Sequence, residues 1–475
     1  MADFEIIDRL SDLRALARDL MREDIIAVDT EADSFYHYFD KTCLVQIATR
    51  KHCYLIDPLA LGGPAELQPL RPVFASPKVR TIFHAAEYDI FVLKRDCGFV
   101  FKNLFDTMVS AQLLGYPAIG LAALIQHHFG ISVPKDEQRS DWSRRPLTDK
   151  QLTYAAGDVL YLIRLTAKLE KELEKAGRRS WAQEEFETVT HREWAEREFD
   201  THGHLRIKGA KKLDEKHLLV LRELYLMRDA RAREIDRPTF KVLGNRTLLE
   251  LAETQPRKLS DLSRVKGVTE LIVRRMGKEI LEAIKKGRTA TKQTPPKTQS
   301  TGNGRRRMDR KTERLVNRLK RWRSSRAPEL SLDPGVLCPN ASLEAIAWRN
   351  PQQPSDLEEV TELKGWFVRE FGAEVIEIVG RAESASDLQA SDGPRPRRES
   401  TGRTQSPRST RAGASGPGAD AGAAATATPA SVSGNAGRPS SGDSTADPPR
   451  RKKRRRRKKK RSGGGGADAA PSKVT

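Results

Sequence analysis

The chain has 475 residues, more than one ordinary core requires and enough for two or three domains with tails. Lysine and arginine exceed aspartate and glutamate by 21, which points to a polyanionic partner, and no apolar run reaches the roughly 18 residues that a membrane span needs. Four scattered cysteines, Cys43, Cys53, Cys97 and Cys338, show no C-x-x-C pairing, which leaves neither a disulfide framework nor a zinc site and fits a reducing, cytoplasmic compartment. The start, "MADFEIIDRLSDLRALARDL", mixes acids and bases through an amphipathic pattern and is not a secretory signal. Charge is unevenly spread. Residues 1–175 carry 22 basic and 25 acidic side chains, a net of −3, so all of the positive excess lies downstream.

Within residues 1–175, "IIAVDTE", "CLVQIAT", "HCYLIDP" and "VRTIFH" read as strands. "DLRALARDLM", "EYDIFVLKRDCG", "TMVSAQLLG" and "KQLTYAAGDVLYLIRLTAKLEKELEKAG" read as helices, so this part is an α/β domain with a mixed sheet. The first strand runs into acids. In "IIAVDTEADSF", Asp29 and Glu31 point to one face, about 7 Å apart along the strand. Two carboxylates facing one low-dielectric region repel unless a cation sits between them. A strand end dissolving into a polar loop is the plainer alternative.

In "TIFHAAEYDIFVLKRDCG" a strand ends at His84 and Asp89 falls in the early turns of the next helix near the end of the sheet, where taken alone it reads as an ordinary surface residue. "RPLTDKQLTYAAGDVLYLIRL" opens with Thr148 and Gln151 in the T-x-x-Q spacing of a capping box. On that helix Tyr154 and Asp158 are i and i+4, on a face otherwise formed by Tyr161, Leu162 and Leu165. An acid on an apolar face needs a partner, and a metal ion would supply one. Three to five carboxylates suit a pair of divalent cations, a device that hydrolyses phosphodiesters, and ligands without cysteine favour Mg²⁺ or Mn²⁺.

Beyond residue 212 strand signals stop. "EKHLLVLRELYLMRDARAREIDRP" is helical, two further helices follow through residue 287, and the polar stretch 288–307 is a linker. The module then repeats at an offset of 95 residues: Leu224 matches Leu319, Arg228 matches Arg323, Asn245 matches Asn340, and "SDL" at 260–262 recurs at 355–357. Residues 382–475 hold almost no large apolar side chain and are expected to be disordered. Twelve consecutive bases at 450–461 would either form a solvated, repelling tail or contact nucleic acid.

"VDTEAD", "HAAEYD" and "YAAGDVLYL" resemble the three exonuclease motifs of the DEDD superfamily in its tyrosine-containing branch. "KDEQRSDWSRRPLTDKQLTYAAGDV" is similar to the corresponding segment of ribonuclease D, and the helical repeats resemble HRDC domains, which that family carries twice. The resemblance covers residues 1–381. It implies a ribonuclease H-like exonuclease domain over 1–205, a first HRDC domain over 212–287, the linker 288–307, a second HRDC-like domain over 308–381, and a tail. It further implies 3′→5′ hydrolysis of RNA with release of nucleoside 5′-monophosphates. By motif, Asp29 bridges two metal ions, Glu31 and Asp158 complete the nucleophile-side ion, Asp89 holds the leaving-group ion, and Tyr154 orients the attacking water and helps to remove its proton. Asp33 departs from the pattern; it is expected past the strand end, away from the metals.

Among the other residues, His84 is expected to be packed or hydrogen-bonded, Asp106 to cap a helix, and Gly267 and Gly365 to sit in turns. Trp142 would pack beneath the third motif or stack on a terminal base. Lys135, Arg139, Arg144 and Arg145 around it are candidates for RNA phosphates. The expected partner is RNA with a free 3′ end, such as a tRNA precursor, with no obligate protein partner. The competing readings are a nuclear-exosome-type exoribonuclease subunit, a helicase-associated DNA exonuclease, and a nucleic-acid-binding protein with a dead site.

Overall fold

The computed structural model describes residues 4–134, 136–193, 199–290 and 308–381. Lys135, most of the expected linker, and the whole tail from residue 382 lie outside the described residues. The N-terminal part runs β1 (Glu5–Ile7), α1 (Leu10–Leu20), β2 (Ile25–Ala32), β3 (Thr42–Ala48), β4 (Cys53–Ile56), the single turns α2 (Pro58–Leu61) and α3 (Arg71–Phe74), β5 (Arg80–Phe83), α4 (Glu87–Cys97), β6 (Leu104–Asp106), α5 (Thr107–Leu114), α6 (Leu121–Phe129), α7 (Asp149–Leu160), α8 (Leu162–Lys175) and α9 (Arg179–His191). The first helical module holds α10 (Glu215–Glu234), α11 (Thr239–Val242), α12 (Asn245–Thr254), α13 (Leu259–Leu262) and α14 (Glu270–Thr289). The second holds α15 (Arg310–Glu329), α16 (Pro334–Leu337), α17 (Asn340–Arg349), α18 (Pro354–Glu358) and α19 (Gly365–Gly380).

The six strands form one mixed sheet in the order β1-β4-β3-β2-β5-β6, as an α/β class requires. Four of them match the sequence reading; β1 and β6 span three residues each, too short for alternation to register. Central β2 is apolar and buried from Ile25 to Val28, which seats it between helical layers. It pairs in parallel with β5 only from Ile25 to Ala27, so its acidic end is paired with antiparallel β3 alone. The register shifts at Glu31/Ala32, a bulge of the kind that re-aims side chains beside active sites.

One predicted helix is two. The run from Lys150 breaks at Tyr161 (φ −100°, ψ −10°), which ends α7 and begins α8. The break sends α7 across β2–β4 while α8 packs on β2, β5 and α5, a division that periodicity cannot reveal. The capping box forms as expected, with the Thr148 side chain and Gln151 satisfying each other's backbone N–H groups.

The 95-residue repeat is reproduced in the geometry. Arg228 donates to Leu243 O (3.0 Å) and Asn245 Oδ1 (2.8 Å), and Arg323 donates to Cys338 O and Asn340 Oδ1 (2.9 Å). Gln255 and Asn350 both close their helices in the left-handed region, at φ +43° and +49°. The two copies are docked differently. The first keeps a core of its own, whereas the second shares one with the α/β domain through Trp366, stacked 4.4 Å from Trp181 on α9. Gly267 is a turn glycine (φ +90°), but Gly365 is not; it opens α19, and a Cβ there would lie 2.8 Å from the Glu184 carboxylate. That carboxylate accepts from Trp366 N at 2.7 Å, an acid held at a helix N-terminus.

Candidate active site

The cleft is built where β2 outruns β5. Alternation puts Asp29 and Glu31 on one face of β2, and α7, lying across that face, brings Asp158 to them; one carboxylate oxygen from each lies within 4.8 Å of the others. Tyr154, one turn before Asp158, hydrogen-bonds its side chain. Asp89 enters from the first turn of α4, where Thr30 Oγ1 donates to its Oδ1 at 2.6 Å. Asp89 is buried, and Asp29, Glu31 and Asp158 are partly accessible although densely surrounded by protein.

Like charges dominate the electrostatics. Burial first, then repulsion from Asp89, Asp158 and Glu31, hold the Asp29 carboxyl well above the usual range. Glu31 is raised the same way, by burial and then by Asp158 and Asp89. Burial lifts Asp89 to about 7 and Asp158 to about 6, against opposing hydrogen bonds from Thr30 and Tyr154 respectively. Burial and the neighbouring carboxylates also push the Tyr154 phenol far above its ordinary value. Such a set fits divalent cations: hard oxygen ligands, no sulfur, and a shared repulsion that only positive charge relieves.

The residues that hold these acids in place reach them mostly through long-range contacts. Ala85 sits at φ +63°, a costly conformation for a residue with a Cβ, and Asp106 pins it by accepting from Ala85 N (3.1 Å) and Ala86 N (2.7 Å). The same carboxylate caps α5 through Met108 N and Val109 N, so the expected cap also fixes the approach to Asp89. His84 bonds Thr107 Oγ1 at 2.9 Å, and buried Asp33 holds Lys41 through its side chain and its N–H; both lie among structural contacts.

Two expected RNA contacts need correction. Trp142 is only 1% exposed and packs with its ring 6.1 Å from that of Tyr154, which leaves no face for a base. The Arg145 guanidinium is occupied by Asp57 (Nη2–Oδ1 2.7 Å) and by the carbonyls of Cys43 and Trp142 (both 2.8 Å). Arg139 and Arg144 are exposed, the latter against Asp141 at 3.1 Å. The four cysteines are buried and unpaired, and burial pushes the thiols of Cys53 and Cys97 up to about 12.

Comparison with known proteins matches residues 4–174 to the 3′-5′ exonuclease family, and residues 217–284 and 312–379 to the HRDC domain, two matches separated by the repeat offset. The chain is 31% identical over 348 residues to the ribonuclease D of Haemophilus influenzae, covering 72% of this chain and 84% of that one. Among solved structures, the catalytic core of RRP6 from Trypanosoma brucei is similar at 28% identity and a TM-score of 0.56, covering 60% of this chain and 80% of that one. Escherichia coli RNase D shares the fold, with a TM-score of 0.57 at 24% identity over 79% of this chain and 98% of its own.

Proposed function

The chain belongs to the ribonuclease D family of 3′→5′ exoribonucleases, and from that premise we propose that it trims the 3′ ends of stable RNA precursors such as those of tRNA, using two divalent ions held by Asp29, Glu31, Asp89 and Asp158. The observation that carries this reading is the meeting of three carboxylates from β2 and α7 within 4.8 Å, with the Tyr154 hydroxyl alongside. Asp29, Glu31 and Asp158 would hold one ion, and Asp89 together with Asp29 the other. Mg²⁺ or Mn²⁺ bound there would draw charge from the scissile phosphate and make water more acidic.

The side chains divide the remaining work. Tyr154, its O–H donated to Asp158, would offer its phenolic oxygen as an acceptor that orients the attacking water. Thr30 fixes the rotamer of Asp89, and Asp106 fixes the backbone that delivers it. Because burial raises the Asp158 and Asp89 carboxyls to about 6 and about 7 in the metal-free site, protons would compete with cations there, and activity should rise with pH through that range. The electrostatic share of RNA affinity falls to the rest of the chain, since residues 1–175 carry a net of −3 within a total of +21.

The test is incubation of the pure protein with a tRNA precursor carrying a 3′ trailer and with matched single-stranded DNA, with and without Mg²⁺. The expected result is stepwise release of nucleoside 5′-monophosphates from the RNA only when Mg²⁺ is present. Endonucleolytic products, or equal trimming in EDTA, would refute the proposal.

A further inference from the structure

Five large aromatic side chains are exposed among the described residues, and four of them lie on the segments that follow Glu31 and precede Asp89 or on α11, which contacts the loop after Glu31. Phe35 (47% exposed) and Phe39 (58%) project from the loop between β2 and β3, Phe240 from α11 of the first helical copy, and Tyr88 stands next to Asp89; the fifth, Trp348, lies on α17 of the second copy. Tyr88 and the neighbour of Phe240 reach the same loop: the Tyr88 side chain hydrogen-bonds Ser34, and Lys241, next to Phe240, places its Nζ 3.6 Å from the centre of the Tyr36 ring. A single exposed ring is ordinary on any surface, but four around one loop leading from Glu31 call for a partner.

The loop is stiff. Tyr36 N and His37 N donate to Asp33 O at 2.7 and 3.0 Å, and Lys41 N donates to the buried Asp33 carboxylate at 2.8 Å. Tyr38 N and Phe39 N both donate to Asp236 Oδ1 of the first helical copy, at 2.9 and 3.1 Å. Arg95 holds Asp40 O at 3.0 Å, and the Tyr36 hydroxyl donates to Arg139 O at 3.0 Å, within the segment leading to α7. A floppy loop could fold its phenylalanines away from water; this one is tied at almost every residue and keeps them out. Rigid aromatic faces beside cations are what successive unpaired bases stack on, with little regard to sequence.

We propose that Phe35, Phe39 and Phe240, with Lys241 beside them, form a stacking platform for the single-stranded RNA a few nucleotides upstream of the 3′ end. This rests on the proposed assignment of the cleft to Asp29, Glu31, Asp89 and Asp158. The platform spans two domains, so it requires the first helical copy to be docked, and it acts on substrates long enough to leave the cleft.

The test compares the full-length protein with its Phe35→Ala/Phe39→Ala double variant on an RNA with a long single-stranded 3′ overhang and on a dinucleotide. The double variant should raise KM for the overhang about tenfold, with kcat within about twofold of wild type and dinucleotide hydrolysis unchanged. Phe35→Tyr/Phe39→Tyr should restore KM, and Trp348→Ala should have no effect. Abasic sites three to five nucleotides from the 3′ end should weaken the wild type and add nothing to the alanine variant. An unchanged KM on the overhang, an equal loss on the dinucleotide, or an equal effect of Trp348→Ala would overturn the platform while leaving the cleft assignment intact. A wild type that hydrolyses neither RNA would overturn both.

Discussion

The cleft and the helical copies both take charge out of water, with opposite outcomes. In the copies, buried Arg228 and partly buried Arg323 each donate to a carbonyl and an asparagine oxygen, so most of the guanidinium is paired within the fold although Nε is left without a partner. In the cleft, Asp29 and Glu31 meet chiefly other carboxylates, and their pKa values rise. A buried charge that the fold satisfies is architecture, whereas one that the fold leaves in repulsion marks where a ligand of opposite sign belongs.

The contrast breaks most visibly in the cleft. Asp29→Asn or Asp158→Asn should lower exonuclease turnover by at least about a thousandfold while far-UV circular dichroism and RNA binding stay near wild type, because each removes a ligand charge. Tyr154→Phe should lower kcat about 10- to 1000-fold with KM little changed, since its hydroxyl acts on the water in the transition state. A defect confined to KM would reduce Tyr154 to packing.

The copies should respond in stability and not in chemistry. Arg228→Met strands the Leu243 carbonyl and Asn245, and should cost about 2–4 kcal/mol in denaturant unfolding with kcat preserved. Arg323→Met should cost less, because Arg323 is only partly buried. The smallest effect has the sign that separates the two regions. Raised carboxyl pKa values mean that the metal-free native state binds more protons than the unfolded chain between about pH 4 and 7. Its stability therefore falls as pH rises through that window. At pH 7.5 in EDTA, Asp29→Asn should melt above wild type, the reverse of what removing a satisfied charge does.

The catalytic pattern was legible where spacing alone decides which side chains share a face. Asp29 with Glu31 on a strand and Tyr154 with Asp158 on a helix are such pairs, and the repeat offset was likewise visible from Arg228/Arg323 and Asn245/Asn340. Asp89 has no local partner and was placed only by motif resemblance. Thr30, Asp106 and the pairing of Arg145 with Asp57 were illegible as parts of the site because they act across 20 to 88 residues of chain. Trp142 suits the core better than a base in sequence but allows either, and only the packing of α7 decides between them. The split of α7 from α8 at Tyr161 was hidden for the same reason: the apolar rows continue through it while the direction of the chain changes.

The central claim is that the cleft is a repulsive acid cluster completed by divalent cations. The most direct measurement is a Mg²⁺ titration of EDTA-treated protein at pH 7.5, following the melting temperature and the release of nucleoside 5′-monophosphates from 3′-end-labelled RNA in the same samples. Both should rise together over one concentration range in the wild type, and Asp29→Asn should lose the release and most of the thermal shift. Release that begins before any Mg²⁺ is added, or a thermal shift of equal size in Asp29→Asn, would contradict it.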